Sequence, residues 1–141
     1  MKKNLILYGF GGHCNSVLDV IQRTKKYKIV RIIDDNYKIK KKNVYENARA
    51  FFDKNNKYFN IHLSFASINF LKKRKKIYLN IKKNKKYKFP VIISKNSYIS
   101  KSAKINVGSI LMNGSIVNTN SFIGKNVVIN TNALIEHDVN I

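Results

Sequence analysis

The sequence predicts a mixed chain: an open α/β unit over residues 1–91, followed by a parallel β solenoid of six-residue repeats over residues 92–141. Three observations lead there. A short apolar run, Asn4 to Tyr8, stops at Gly9-Phe10-Gly11-Gly12 and leads into residues of near-helical spacing, the pattern of strand, tight turn and helix. A second apolar run, Lys28 to Ile33, follows that helix and stops at Asp34-Asp35. From Ile93 onward every sixth residue is aliphatic.

The α/β elements follow in order. Leu5, Ile6 and Leu7 read as a buried strand. From His13 to about Lys26, Val17, Leu18, Val20 and Ile21 form the apolar face of a helix, with Asn15 or Ser16 as its cap. Lys28–Ile33 is the second strand. Residues 36–60 are polar and lysine-rich, with a helical turn expected near Asn47 to Phe52. Ile61 to Ala66 reads as the third strand. Ile68, Leu71, Ile77, Leu79 and Ile81 mark a lysine-coated helix ending near Lys86, and Phe89 to Ile93 is a fourth short strand.

The last third has a different period. Ile93, Ile99, Ile105, Leu111, Val117, Ile123, Ile129, Ile135 and Ile141 are nine consecutive sixth positions. Four residues after each of the first eight stand Ser97, Ala103, Ser109, Ser115, Ser121, Val127, Ala133 and Val139, all small or β-branched. Neither a helix nor an ordinary strand has this period, whereas a three-sided β-helix does. One aliphatic side chain per hexad points inward, and the smaller residue fits where the chain turns a corner. Asn113-Gly114, Gly124 and Asn126 are the expected tight turns. Ile93 to Ile141 makes fewer than three coils of eighteen residues. Solenoids need about three or more repeats and a protected end, so the last coil is expected to present an open edge and the chain to be C-terminally truncated.

Composition narrows the functional classes. The chain has 141 residues, with 28 Lys+Arg against 7 Asp+Glu, a net charge of +21. Only Arg23, Arg31, Arg49 and Arg74 are arginines. Arginine is the better reader of phosphates and bases, so the charge reads as a solvated surface and not as specific nucleic-acid recognition. No apolar run is long enough for a membrane span, and neither a secretory signal nor a disulfide is expected, since Cys14 stands alone. A cytoplasmic protein is the expectation. No Cys/His group has zinc spacing, so no metal is expected. The few acids become informative: Asp34, Asp35, Glu136 and Asp138 are four of the seven and occupy two short motifs.

Gly9-Phe10-Gly11-Gly12-His13 joins a strand to a helix, where glycines let backbone amides approach a phosphate. Cys14 occupies the third glycine position of the dinucleotide fingerprint, so NAD fits poorly. The loop either holds a ligand or serves tight packing alone. His13 either donates to a phosphate or sugar oxygen or caps the helix. Asp34-Asp35 ends the second strand where such folds hold a ribose or base, or is an ordinary turn. Glu136-His137-Asp138 follows Ile135. The inward positions are taken by Ile135 and Val139, so His137 projects outward. A neutral imidazole there can take a proton from an attacking amine or hydroxyl, and a neighbouring carboxylate can orient it. His62 has no acidic neighbour and reads as structural, as does Cys14.

In this order, Tyr8–His13, Asp34-Asp35, Ile92–Ala103 and Asn130–Asp138 resemble the hexapeptide-repeat sugar acetyltransferases of the sialic-acid O-acetyltransferase and bacillosamine-pathway N-acetyltransferase family. The resemblance implies a Rossmann-like N-terminal domain and a left-handed parallel β-helix. It implies transfer of acetyl from acetyl-CoA to an amino or hydroxyl group of a sugar, often nucleotide-linked. His137 would be the general base and Asp138 would orient it. Gly9, Gly11, Gly12, His13, Asp34 and Asp35 would hold the nucleotide-sugar, and Asn130 would lie near acetyl-CoA. A homotrimer is implied if the β-helix is completed. The family runs on for several coils after its catalytic histidine, and its glycine after the third strand is replaced near Ala66-Ser67. The alternative is a truncated, non-catalytic sugar-nucleotide-binding or assembly module.

Overall fold

In a computed structural model of the chain, which describes residues 1–35, 44–45, 51–52, 59–66, 69 and 71–141, the first part contains strands β1 (Lys3–Tyr8), β2 (Tyr27–Ile33), β3 (Val44–Tyr45), β4 (Phe59–Leu63) and β5 (Tyr87–Lys88). Helix α1 (Gly12–Thr24) follows β1, and helix α2 (Leu71–Lys82) precedes β5. The strands form one parallel sheet in the order β3-β2-β1-β4-β5. Strand order reverses direction at β1. The crevice at the carboxyl ends of β1 and β4 is therefore the point where such sheets present ligands.

Strand alternation builds the two faces of the sheet. Leu5 and Leu7 pack with Val17, Val20 and Ile21 of α1. Ile6 and Tyr8 point the other way and pack with Tyr78 and Ile81 of α2, as period-two side chains must. The expected cap at Asn15 or Ser16 is corrected: α1 begins at Gly12, with Gly11 at the N-cap and no side-chain cap. The glycine turn itself winds into the first helical turn, leaving Asn15 and Ser16 exposed. The third expected strand is shorter at its end, because residues 64–66 leave the ladder at the crevice. Of the expected strand from Phe89 to Ile93 only β6 (Ile92–Ile93) forms; β5 ends before it, at Lys88, and Pro90 between them has no N–H for a ladder. Phe51 and Phe52 are helical, as expected. The rest of that turn, Ser67 and Ile68 lie outside the described residues.

The second part is a short parallel β-helix of two-residue strands: β6, β7 (Tyr98–Ile99), β8 (Lys104–Ile105), β9 (Ile110–Leu111), β10 (Ile116–Val117), β11 (Phe122–Ile123), β12 (Val128–Ile129) and β13 (Leu134–Ile135). They form three stacks, β6-β9-β12, β7-β10-β13 and β8-β11, the last extended by a bridge from Phe122 to Asn140. Leu111, Val117, Ile123 and Ile129 are the buried column, with Ile99, Ile105 and Ile135 packed beside them. At the two ends Ile93 is 37% and Ile141 48% exposed. The expected fold class, an α/β Rossmann-like unit followed by a parallel β-helix, is the one the chain has.

Corners recur with the same period. Gly108, Gly114, Asn120, Asn126, Asn132 and Asp138 all have φ between 57° and 79°. This is the left-handed region that Gly, Asn and Asp tolerate best. Gly124 is not a corner, contrary to expectation. A Cβ there would stand 2.8 Å from the Ile141 carbonyl oxygen, so its missing side chain admits the next coil.

Ile92, Ile110 and Val128 point outward from the first stack and pack, with Met112, on the α1 cluster. Asn113 adds a polar tie, donating to Asp19 of α1 at 3.3 Å. Depth in the column should set mutational cost. Ile123→Ala should destabilise by about 2–5 kcal/mol, whereas Ile93→Ala at the open end should cost under about 1 kcal/mol; urea unfolding of the two variants compares them.

Candidate active site

Two groups of candidate residues occur, one at the sheet crevice and one on a corner of the β-helix. At the crevice, Gly9 follows β1 with φ 109° and donates its N–H to the Ile33 carbonyl at 2.8 Å. A Cβ on Gly9 would meet the Phe65 ring at 2.9 Å. Packing and backbone conformation therefore account for Gly9. They do not account for Gly11 and Gly12, above which a Cβ would find nothing within 4 Å. Both are exposed and open the first turn of α1, whose first N–H groups have no intrahelical acceptor. That open space is what an anionic ligand approaching backbone amides requires.

Asp34 and Asp35 brace this loop. Asp34 accepts the Phe10 N–H at 2.6 Å, and Asp35 accepts the Tyr8 hydroxyl at 2.5 Å. Burial and the Asp35 hydrogen bond push the Tyr8 phenol well above its ordinary value, so it remains a donor. Ser64, which follows β4, donates to the Gly9 carbonyl at 2.6 Å and closes the crevice from the other side.

His13 is half-buried and points inward, its Nε2 buried without a partner. Burial, then the charge of Arg74, lowers its pKa. His62 on β4 is fully buried with neither ring nitrogen partnered. Its pKa lies well below the ordinary value, through burial first, then Arg74 and His13. Arg74 of α2 donates from Nη1 to the Leu63 carbonyl at 2.8 Å and to the Phe65 carbonyl at 2.5 Å. It thereby holds the end of β4 in place.

At the other group, His137 Nδ1 and Asp138 Oδ2 are 2.7 Å apart, and both side chains are exposed, at 71% and 64%. The hydrogen bond to Asp138, then the charges of Asp138 and Glu136, raise the His137 pKa above 6.5. His137 and Asn120 hold the Asp138 carboxyl below its usual range. Asn118 donates to Glu136 at 3.2 Å, and Ser121 donates to the Glu136 carbonyl at 2.6 Å, so the adjoining turn is anchored to the coil before it. Nδ1 engaged by carboxylate leaves Nε2 facing outward as the acceptor, the tautomer a general base uses.

Gly9, Asp34 and Asp35 are thus brought together, with Gly11, Gly12 and His13 one turn away. His137 and Asp138 form a separate pair. Asn130 is exposed and directly follows β12. Ser64 and Phe65 shape the crevice yet carried no motif signal; Arg74, which shapes it with them, stood out only as a rare arginine in a lysine-coated helix. Among the described residues no group of three or more His, Cys, Asp or Glu side chains is placed to hold a metal ion. No helix among them is long and apolar enough to cross a membrane.

Residues 4–81 match the model of the PglD N-terminal domain. The chain belongs to the PglD N-terminal domain family. No curated protein is significantly similar to it in sequence. Among solved structures, it resembles the acetyltransferase domain of PglB from Neisseria gonorrhoeae FA1090, with a TM-score of 0.81 at 24% identity, covering 97% of this chain and 66% of that one. The same domain in complex with acetyl coenzyme A gives 0.81 and 24%, over 98% and 66%. PerB from Caulobacter crescentus, in complex with CoA and GDP-perosamine, gives 0.80 at 20% identity over 97% and 64%. These likenesses establish the fold. The chain spans less than two thirds of the length of each of these structures.

Two predictions follow from the charges. In this PglD-family chain the Asp138 corner has φ 60°, which asparagine also adopts. Asp138→Asn should keep the turn, remove the carboxylate and bring the His137 pKa down toward 6.5, as read by NMR titration of the ring protons. For His62, the unfolded chain titrates near 6.5 and the folded chain well below it. Between those values the unfolded state binds more protons, so stability is lost as pH falls below about 6.5. His62→Leu should remove the unpartnered ring nitrogens and shrink the loss of Tm between pH 7.5 and pH 5.5.

Proposed function

We propose that the chain is a sugar acetyltransferase, moving acetyl from acetyl-CoA to an amino or hydroxyl group of a nucleotide-linked sugar in the cytoplasm. The observation that carries this reading is the His137–Asp138 pair at 2.7 Å on an outward corner of the β-helix. It is supported by membership of the PglD N-terminal domain family. It is supported also by a fold shared with PglB and PerB, whose structures contain acetyl coenzyme A, or CoA with GDP-perosamine.

In this reading, residues 1–91 hold the nucleotide-sugar and residues 92–141 carry the catalytic base. The open first turn of α1 at Gly11, Gly12 and His13 receives the diphosphate, with Gly9 setting the turn. Asp34 and Asp35 accept hydrogen bonds from ribose or base. His137 Nε2 takes the proton as the sugar amine or hydroxyl attacks the thioester carbon. The tetrahedral intermediate collapses by breaking the C–S bond, and the imidazolium returns the proton to the CoA thiolate. Asp138 keeps Nδ1–H in place and stabilises the imidazolium. No covalent acyl-enzyme and no metal enters these steps. Asn130 is assigned to the acetyl-CoA side.

A homotrimer belongs to the same reading. Tyr98, Ile116 and Leu134 stand in register on the outer face of the second stack, 59%, 38% and 53% exposed. Such an apolar ladder is costly in water, and a second copy covering it would bring a neighbouring surface beside His137.

The alternative is a sugar-nucleotide-binding module without turnover. Release of CoA from acetyl-CoA in the presence of a UDP- or GDP-amino-sugar separates the two. The acetyltransferase reading expects turnover that His137→Ala lowers at least about a hundredfold. It also expects an acid limb in kcat/KM above pH 6.5, since the raised pKa keeps more of His137 protonated at neutral pH. Nucleotide-sugar binding by calorimetry with no CoA release at any pH would leave the module.

A further inference from the structure

The turn that carries His137 is seated on an equivalent turn of the coil before it. Val117 pairs with Ile135, so residues 118–120 lie beside residues 136–138. Backbone bonds stitch the two turns at both ends. Asn118 donates its N–H to the Ile135 carbonyl at 3.0 Å, and Asp138 donates its N–H to the Thr119 carbonyl at 2.9 Å. Asn120 and Asp138 share the left-handed conformation, with φ 58° and 60°. Asn120 is itself fixed from the preceding coil, its N–H donating to Ser102 Oγ at 3.0 Å.

The side chains repeat this pairing. Asn118 Nδ2 donates to Glu136 at 3.2 Å, and the Asn120 amide hydrogen-bonds the Asp138 carboxylate. His137 thus follows one carboxylate and precedes another, each held by an amide of the coil before. Asp138 engages the ring, 2.7 Å from Nδ1, whereas Glu136 acts on it through its charge. The left-handed corner accounts for asparagine at 120, as it does at 126 and 132. It does not account for Asn118, which is not among the left-handed residues. Composition does not account for it either, since 28 Lys+Arg stand against 7 Asp+Glu and lysine is the usual exposed residue of this chain. A lysine beside either carboxylate would take up its charge and weaken its effect on an imidazole. A neutral amide fixes a carboxylate oxygen and leaves the charge to the ring.

We propose that Asn118 and Asn120 are positioning residues that decide which nitrogen of His137 carries the proton. Asn118 ties Glu136 back to the coil, which leaves Asp138 as the partner of Nδ1. Asn120 fixes the Asp138 carboxylate in the orientation that receives the Nδ1–H. A neutral imidazole in water slightly prefers the Nε2–H form, and the hydrogen bond made by one ring nitrogen settles where the proton sits. An exposed pair loses most of its strength to side-chain freedom, so a second donor that immobilises the carboxylate has its largest effect here. The catalytic consequence rests on the acetyltransferase reading: Nε2 is kept unprotonated and outward, ready to accept the proton of the attacking amine or hydroxyl.

The test reads the ring directly. Long-range ¹H–¹⁵N spectra of the full 141-residue chain, taken above the His137 pKa, report which ring nitrogen is protonated, and His137→Gln identifies its signals. The wild-type ring should be mainly Nδ1–H. Asn118→Ala with Asn120→Gly removes both amides and keeps a corner that glycine adopts. It should move the tautomer ratio toward Nε2–H by about threefold or more, the worth of an ordinary hydrogen bond. Asn118→Gln keeps an amide at that position and should leave the ratio as in the wild type. Asn132→Gly, at a corner of φ 57° on a different edge of the coil, should also leave it unchanged. A wild-type ring that is mainly Nε2–H, a ratio unmoved in the double variant, or an equal shift in Asn132→Gly would overturn the proposal. In the CoA-release assay the double variant should lower kcat by the same factor at unchanged KM. A shifted ring with no CoA release from any of these chains upholds the positioning role and counts against the acetyltransferase reading alone.

Discussion

Parallel pairing in the last part of the chain sets residues eighteen apart side by side, Ile92 beside Ile110 and Ile110 beside Val128, and so on around three faces. That spacing holds only if every hexad turns by the same angle, and from the third turn onward each turn uses one residue in the left-handed region. Gly108, Gly114, Asn120, Asn126, Asn132 and Asp138 supply it. The corner geometry fixes the register, the register puts the aliphatic positions over one another, and the stacked column excludes water. The outward side chains are then held at positions that the period dictates.

Asp138 is where this constraint meets chemistry. As a corner residue it satisfies the backbone, and as a carboxylate it holds the neighbouring imidazole. The residue before a left-handed corner points away from the coil, which leaves His137 exposed and its Nε2 outward. Precise placement thus comes from a rigid scaffold and not from a flexible loop. Both side chains of the pair stand largely in water, at 71% and 64% exposure.

The α/β part shapes its crevice by a different logic. Tyr8 and Asp35, Phe10 and Asp34, Ser64 and Gly9 are three hydrogen-bonded pairs that tie the ends of β1, β2 and β4 to one another. The glycine turn is held taut by these bonds, while the space above Gly11 and Gly12 remains open. Arg74 extends the same bracing from α2 to the end of β4 and on to the β-helix. A lysine has no planar fork with which to reach three carbonyls in different directions. The one arginine among the lysines of α2 is therefore a structural choice even on a surface coated with positive charge.

The sequence by itself determined the architecture and most of the candidate residues. A six-residue aliphatic period has few physical solutions, and a glycine turn between strand and helix has one common geometry, so both were readable locally. The acids were readable because they are rare. It misplaced the helix cap and the role of Gly124, because both depend on what packs above: an open turn at Gly11 and the Ile141 carbonyl near Gly124. Only the tertiary structure decided that Ser64, Phe65 and Arg74 belong to the crevice and that α2 and Lys125 enclose a groove. Those residues are brought together across long stretches of chain by sheet order and coil stacking. Such contacts leave no periodicity in the sequence, since each partner satisfies its own local pattern whether or not the other is near.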